Sequence, residues 1–199
     1  VETVHMENLG FAGTLKDVRV LVMSYANMKP LSPEVRQHLA AWVREGGVLI
    51  YYGRDNDPFQ QVREWWNTKG NEYAAPSQHL FELLEVELAA ARRRYESGEG
   101  IVYVVRQDPK ELVLEPEQDE AFVALVQRAY ERDAQAGTLQ RKNYLRLQRG
   151  PYDIIAVMDE SVSAAPVRIE GPVIDLFDPE LPVLSEKIVR PGQQASMYR

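Results

Sequence analysis

The chain contains no cysteine. That removes disulfides, thiolate nucleophiles and cysteine-based zinc sites together, while leaving the compartment open. Histidine is almost as scarce. His5, His38 and His79 are dispersed, with no His-x-x-x-His spacing through which one helix face binds a metal. No apolar run approaches the roughly 20 residues of a membrane-spanning helix, and no signal-peptide pattern is present. A G-x-S-x-G elbow is missing too; Ser24 follows a strand-like run, but MSYAN lacks the flanking glycines of a sharp elbow. Gly98-Glu99-Gly100 is too short for a dinucleotide fingerprint and precedes a strand instead of a helix. Basic excess is absent as well: the net charge of -7 argues against nucleic acid as a partner, because phosphate binding needs a basic surface. The short runs Arg92-Arg93-Arg94 and Arg141-Lys142 read as a solvated helix face or strand end.

What is present is an ordinary globular composition. The 199 residues, 45% hydrophobic and 27% charged, suit one large domain or two small ones with a true core. The most informative stretch is Val18 to Asp57. Val18 to Met23 is an apolar run expected to be a strand buried on both faces. Ser32 can cap a helix, Pro33 suits its first turn and Glu34 complements its dipole. Val35, Leu39, Trp42 and Val43 form one apolar stripe, and Gly46-Gly47 stops the helix. Val48 to Tyr52 is a second buried strand. The connection is long enough for a crossover, so the two strands are expected to be parallel.

Further along, FQQVREWW reads as a short helix and Pro76-Ser77 opens another, with Leu80, Phe81, Leu83 and Leu84 facing inward. Glu85 to Arg94 is ambiguous between helix and strand; Ile101 to Val105 is a strand, and a long amphipathic helix runs from about Glu117 to Ala134. The pattern changes after Gln135-Ala136-Gly137-Thr138. Short alternating runs follow, at Asn143–Gln148, Tyr152–Met158, Val167–Ile169, Val173–Phe177, Leu184–Val189 and Ala195–Tyr198. Arg149-Gly150-Pro151, Glu170-Gly171-Pro172 and Arg190-Pro191-Gly192 read as turns or breaks between them. Such a run of short strands makes a small antiparallel sandwich or half-barrel.

Ligands in open α/β sheets bind beyond the carboxyl ends of the strands. There the chain offers Ser24, Tyr25 and Asn27 after the first strand, and Gly53-Arg54-Asp55-Asn56-Asp57-Pro58 after the second. Asp55 and Asp57, with Arg54 holding one carboxylate, would make a polar site; the competing reading is a turn whose Asp and Asn side chains satisfy backbone amides. Trp65-Trp66-Asn67 follows. Neighbouring helical residues point about 100° apart, so one tryptophan should pack inward and the other cover a cleft or interface. Indole beside acid and amide groups suits a sugar face, and tryptophan also anchors interfaces. In the second half Asp153, Asp159, Glu160, Asp175, Asp178 and Glu180 could pair as a hydrolase or calcium site, but their places at strand ends suit turn capping better.

The stretch LVMSYANMKPLSPEVRQHLAAWVREGGVLIYYG resembles the class I glutamine amidotransferase-like fold, in the degenerate form found as the β-galactosidase trimerisation-type domain of large bacterial glycoside hydrolases. GRDNDPFQQVREWWN and the tail from Gly150 to Tyr198 look like the accessory α/β and C-terminal β domains that follow a catalytic barrel. Active members of that family need a cysteine on the elbow after a strand such as Val48 to Tyr52. Gly53-Arg54 stands there instead, so the resemblance implies the fold without glutaminase activity.

The sequence is therefore read as α/β, a flavodoxin-like, mostly parallel sheet flanked by helices, followed by a small all-β sandwich. The expected division is an N-terminally truncated α/β domain at 1–138 and a β domain at 139–199, both within a fragment of a longer polypeptide. The expected role is that of a non-catalytic accessory region of a larger carbohydrate-active enzyme, without cofactor or metal. It would contribute to oligomerisation or form one wall of a neighbouring glycosidase site. Its expected partners are an upstream catalytic domain, a second copy of the chain and a carbohydrate, with neither nucleic acid nor membrane among them. Arg54, Asp55, Asp57, Trp65, Trp66 and Asn67 are the residues expected at the ligand site or interface. The alternatives are a stand-alone hydrolase using Asp55 and Asp57, or a carbohydrate-binding module using Trp65 and Trp66.

Overall fold

A computed structural model describes residues 3–24, 29–56 and 62–199. The chain forms two compact units, Val1–Leu139 and Gln140–Arg199. The first is a mixed sheet with helices, the second an antiparallel sheet without them.

In the first unit β1 (Val20–Met23), α1 (Glu34–Arg44) and β2 (Val48–Tyr52) are followed by α2 (Pro76–Leu83), β3 (Arg94–Ser97) and β4 (Gly100–Val105). Two short helices close the unit, α3 (Glu111–Leu114) and α4 (Pro116–Arg128), the latter running into one π-helical turn at Ala129–Asp133. The strand order is β1-β2-β4-β3, with β1, β2 and β4 parallel and β3 antiparallel to β4. Alternation along β2 divides its side chains between two cores. Leu49 and Tyr51 join Leu39, Val43, Leu80 and Phe81 from α1 and α2 on one face. Val48, Ile50 and Tyr52 pack on the other face against Phe122, Leu125, Val126 and Ala129.

Local details depart from the sequence reading for identifiable reasons. β1 is an edge strand, so Val22 stays 47% exposed and the strand is not buried on both faces. Ser32 hydrogen-bonds the Glu34 carboxylate, and the α1 N-terminus has no side-chain cap. Of FQQVREWW, residues 59–61 lie outside the described residues, and the rest forms only a 3-10 turn at Trp65–Asn67. Residues 94–97 form the strand β3, of which the stretch ambiguous between helix and strand reached only Arg94.

The second unit is built from β5 (Tyr144–Arg149), β6 (Tyr152–Val157), β7 (Val167–Asp175), β8 (Val183–Val189) and β9 (Gln194–Tyr198). They form one five-stranded antiparallel sheet in the order β5-β6-β9-β7-β8, with no second sheet stacked on it among the described residues. The sheet curls enough that β6 approaches β8, which is not its neighbour in the ladder. Glu170-Gly171-Pro172 does not end a strand; the register of β7 against β8 shifts there and β7 continues. Ile155, Val157, Ile169, Val173, Val189, Ala195 and Met197 form the core on the inner face.

Candidate functional site

The loops after β2 and β4 meet at the carboxyl edge of the parallel strands, and the polar groups there are engaged with one another. Asp55 sits in a left-handed turn (φ 59°), a conformation aspartate tolerates better than most residues. Its carboxylate accepts hydrogen bonds from the Tyr51 hydroxyl at 2.5 Å and the Ser77 hydroxyl at 2.5 Å. It also receives the Arg106 guanidinium. The side chain is 9% exposed. Among the described residues its partners are side chains from β2, α2 and the loop after β4. The carboxylate ties three elements together.

Arg54 does hold a carboxylate, but that of Glu111 in α3, at 2.6 and 2.8 Å. Asp57 lies outside the described residues, as do Tyr25 and Asn27. The Asn67 side chain is taken up locally: its amide donates to the Val62 carbonyl and its oxygen accepts from the Glu64 amide, each at 2.9 Å. Replacing Asp55 by alanine removes the common acceptor of two hydroxyls and a cation. The expected loss is about 2 kcal/mol of stability, read as a lower urea midpoint with unchanged slope.

The tryptophans divide by burial. Trp66 is 2% exposed and belongs to the interior, so it cannot present a surface to a ligand. Trp65 is half-buried. Its indole N–H donates to the Pro30 carbonyl at 2.8 Å, and its ring meets Trp66 and His79 edge-on with centroids 5.9 and 5.2 Å away. The fully buried Arg36 guanidinium lies 5.0 Å from the Trp65 centroid. His79 packs between Trp65 and Tyr73. Burial first, and then the Arg36 charge, lowers its pKa, so the ring remains a neutral packing element near neutral pH.

Arg106, Tyr51 and Arg36 were not singled out in the sequence; Ser77 was read only as opening a helix and His79 only as an isolated histidine. Arg106 carried a usable signal, because it follows β4 as Arg54 nearly follows β2, and parallel strands deliver both residues to one edge. Ser77 and Arg36 carried none, since helical spacing alone makes one a capping residue and the other a solvated charge.

In the second unit the acids sort into ion pairs and turns. Asp153 is fully buried and contacts Arg146 at 2.5 Å and Arg199 at 3.0 Å. Those hydrogen bonds, Arg146 foremost, outweigh burial and lower its pKa. Burial alone would raise Asp175, but Lys187 at 2.5 Å and the Phe177 amide lower it. Asp159 and Asp178 accept from nearby backbone amides. Among the described residues no cluster of three histidine or acidic side chains could hold a metal ion, and no helix is long and apolar enough to cross a membrane.

Part of the outer face of this sheet is apolar instead. Cross-strand register places Leu147 opposite Ile154, Tyr152 opposite Tyr198, and Ile174 opposite both Tyr198 and Val183. Leu145 and Val183 are 67% and 70% exposed, and Leu147, Tyr152 and Ile154 exceed 40%. The Tyr152 and Tyr198 rings meet edge-on at 5.5 Å. Five strands thus contribute to one apolar surface, whereas isolated apolar residues on a surface need no explanation.

No protein-family model matches the chain, and no curated protein does. Among solved structures, Gan42B, described as a GH42 β-galactosidase, is similar with a TM-score of 0.34 and 14% sequence identity. The likeness covers 91% of this chain and 32% of that one, so this chain spans about a third of that protein's length.

Proposed function

We propose that the chain is a non-catalytic accessory region of a larger carbohydrate-active enzyme, and that its work is subunit association. The observation that carries this reading is the apolar outer face shared by β5, β6, β9, β7 and β8. Burying such a face releases water from apolar area at about 25 cal/mol per Å2, the main favourable term in association. The carboxyl edge of the first unit points the same way. A general acid or base must reach a substrate proton, yet Asp55 already meets three donors and Arg54 already meets Glu111. In this reading the first unit is a flavodoxin-like scaffold of the amidotransferase-like type, with Gly53-Arg54 in place of a nucleophile.

Light scattering on the purified chain is expected to give a mass above the 22.7 kDa of one copy. Nitrophenyl glycosides are expected to be hydrolysed no faster than in buffer. Turnover that Asp55→Asn removes, with the circular dichroism unchanged, would overturn the reading in favour of a hydrolase.

A further inference from the structure

On the α4 face of the first unit a cavity of about 450 Å3 opens between the ends of β2 and β4, α4 and the segment leading into β3. Its lining includes four arginines, Arg92, Arg93, Arg94 and Arg128, and no carboxylate. In a chain of net charge -7 the charged groups of this lining are all positive, with Glu111 and Asp108 acting on Tyr52 from outside it. Two of the four are engaged. Arg94 meets Asp133 at 3.1 Å and Glu96 at 3.5 Å. Arg92 donates from Nε to the Arg94 carbonyl at 2.8 Å and lies over the Tyr95 ring. Arg93 and Arg128 have no carboxylate partner among the described residues, although both line the cavity.

The remaining walls are of a different kind. Half-buried Phe122 meets the buried Tyr52 ring edge-on at 5.6 Å and gives the aromatic wall. Beside it the Tyr52 hydroxyl donates to the Gln107 side-chain oxygen at 3.2 Å, and the Gln107 amide donates to Gln118 at 2.7 Å. This fixes two amide groups at the rim of the aromatic wall. A concave surface of one sign focuses its field and concentrates counter-ions, and guanidinium forks pair with oxyanions through two parallel hydrogen bonds. Two guanidiniums without carboxylates match a dianionic phosphate better than a single carboxylate. The volume falls within the roughly 300–1,000 Å3 of small-molecule sites.

We propose that this cavity binds a phosphorylated monosaccharide. Its phosphate is taken by Arg93 and Arg128, its ring lies against Phe122, and its hydroxyls meet Gln107 and Gln118. The proposal goes beyond the association role and does not depend on it, because the cavity and the apolar sheet belong to different units.

Titration calorimetry on the whole chain tests it. Glucose 6-phosphate is expected to bind with a dissociation constant of about 0.01–1 mM, more weakly as salt is raised. Glucose, glucuronate and inorganic phosphate should each bind at least about tenfold more weakly. The double variant Arg93→Gln/Arg128→Gln should lose at least about tenfold in affinity, and Arg149→Gln in the second unit should lose nothing. Both target arginines are exposed, so the variant should keep its circular dichroism and melting temperature. No binding of glucose 6-phosphate at about 10 mM, or equal binding by the folded double variant, overturns the proposal. Inorganic phosphate binding as tightly as the sugar phosphate overturns the assignment of the ring to the aromatic wall.

Discussion

Asp153→Ala is expected to unfold the 140–199 unit at neutral pH. The Asp153 side chain is wholly inaccessible, and its two oxygens receive Arg146 and Arg199 from opposite ends of the unit. Alanine leaves both cations at the edge of an apolar core without their anion. Removing one member of a buried pair costs about 3–5 kcal/mol. A domain this small holds a core of only seven fully buried apolar side chains, so that loss rivals its whole stability. Amide exchange in β6 and β9 should lose its protection. Tryptophan emission is the internal control, since Trp42, Trp65 and Trp66 all lie in the first unit.

The same pair sets an acid limit. The Asp153 pKa is lowered in the folded chain, so its stabilisation is full above the unfolded-state value of about 3.9. It fades as the pH falls through the lower native value, and Asp175 with Lys187 acts in the same direction. Acid should therefore loosen the 140–199 unit below about pH 4.

Gly100→Ala is the second large effect, and here the cause is backbone contact. A β-carbon at Gly100 would stand 1.8 Å from the Val43 carbonyl oxygen and 2.5 Å from that of Gly47. Both are backbone atoms at the end of α1, so no side chain can turn aside. The β3–β4 turn is hydrogen-bonded to this same end: the Glu99 amide donates to Arg44 at 2.8 Å and the Ile101 amide to Gly47 at 3.2 Å. An alanine must push the turn off the helix and stretch both bonds. A loss of about 3 kcal/mol or more is expected, read as a melting temperature roughly 10 °C lower. Glu99→Ala, at an exposed position in the same turn, should leave it within about 1 °C.

These two positions also show what the sequence could and could not reveal. The β1–α1–β2 unit was legible because its signals are local: an apolar stripe, a proline in the opening turn, a double glycine and an unbroken apolar strand. That Gly98 and Gly100 seat a turn against α1 was not legible, because the glycines and the helix lie far apart in the chain. The exposure of β1 follows from its place at the sheet edge, which no run of apolar residues encodes. In the second unit the alternation gave the strands and left a sandwich and a half-barrel open, and the all-β sandwich expected of it is replaced by one curled sheet. Glu170-Gly171-Pro172 looked like a break because glycine and proline mark bulges and turns alike. At the candidate site, the acidic loop and the adjacent tryptophans were visible as residues. Their partners Tyr51, Ser77, Arg106 and Arg36 come from other elements, and those partners make Asp55 a tie and cover the Trp65 ring. Arg92-Arg93-Arg94 read as an ordinary strand end because Arg128, which faces the same cavity, lies on a helix remote in sequence.

The central claim is that the outer face of the second sheet is an association surface. Sedimentation velocity of the chain beside its Leu147→Lys/Ile154→Lys variant tests it most directly, since both positions are exposed and the core beneath is untouched. The account predicts a concentration-dependent oligomer for the unaltered chain in the micromolar range and a monomer for the variant. A monomer in both, or an oligomer that the two charges do not disturb, would contradict it.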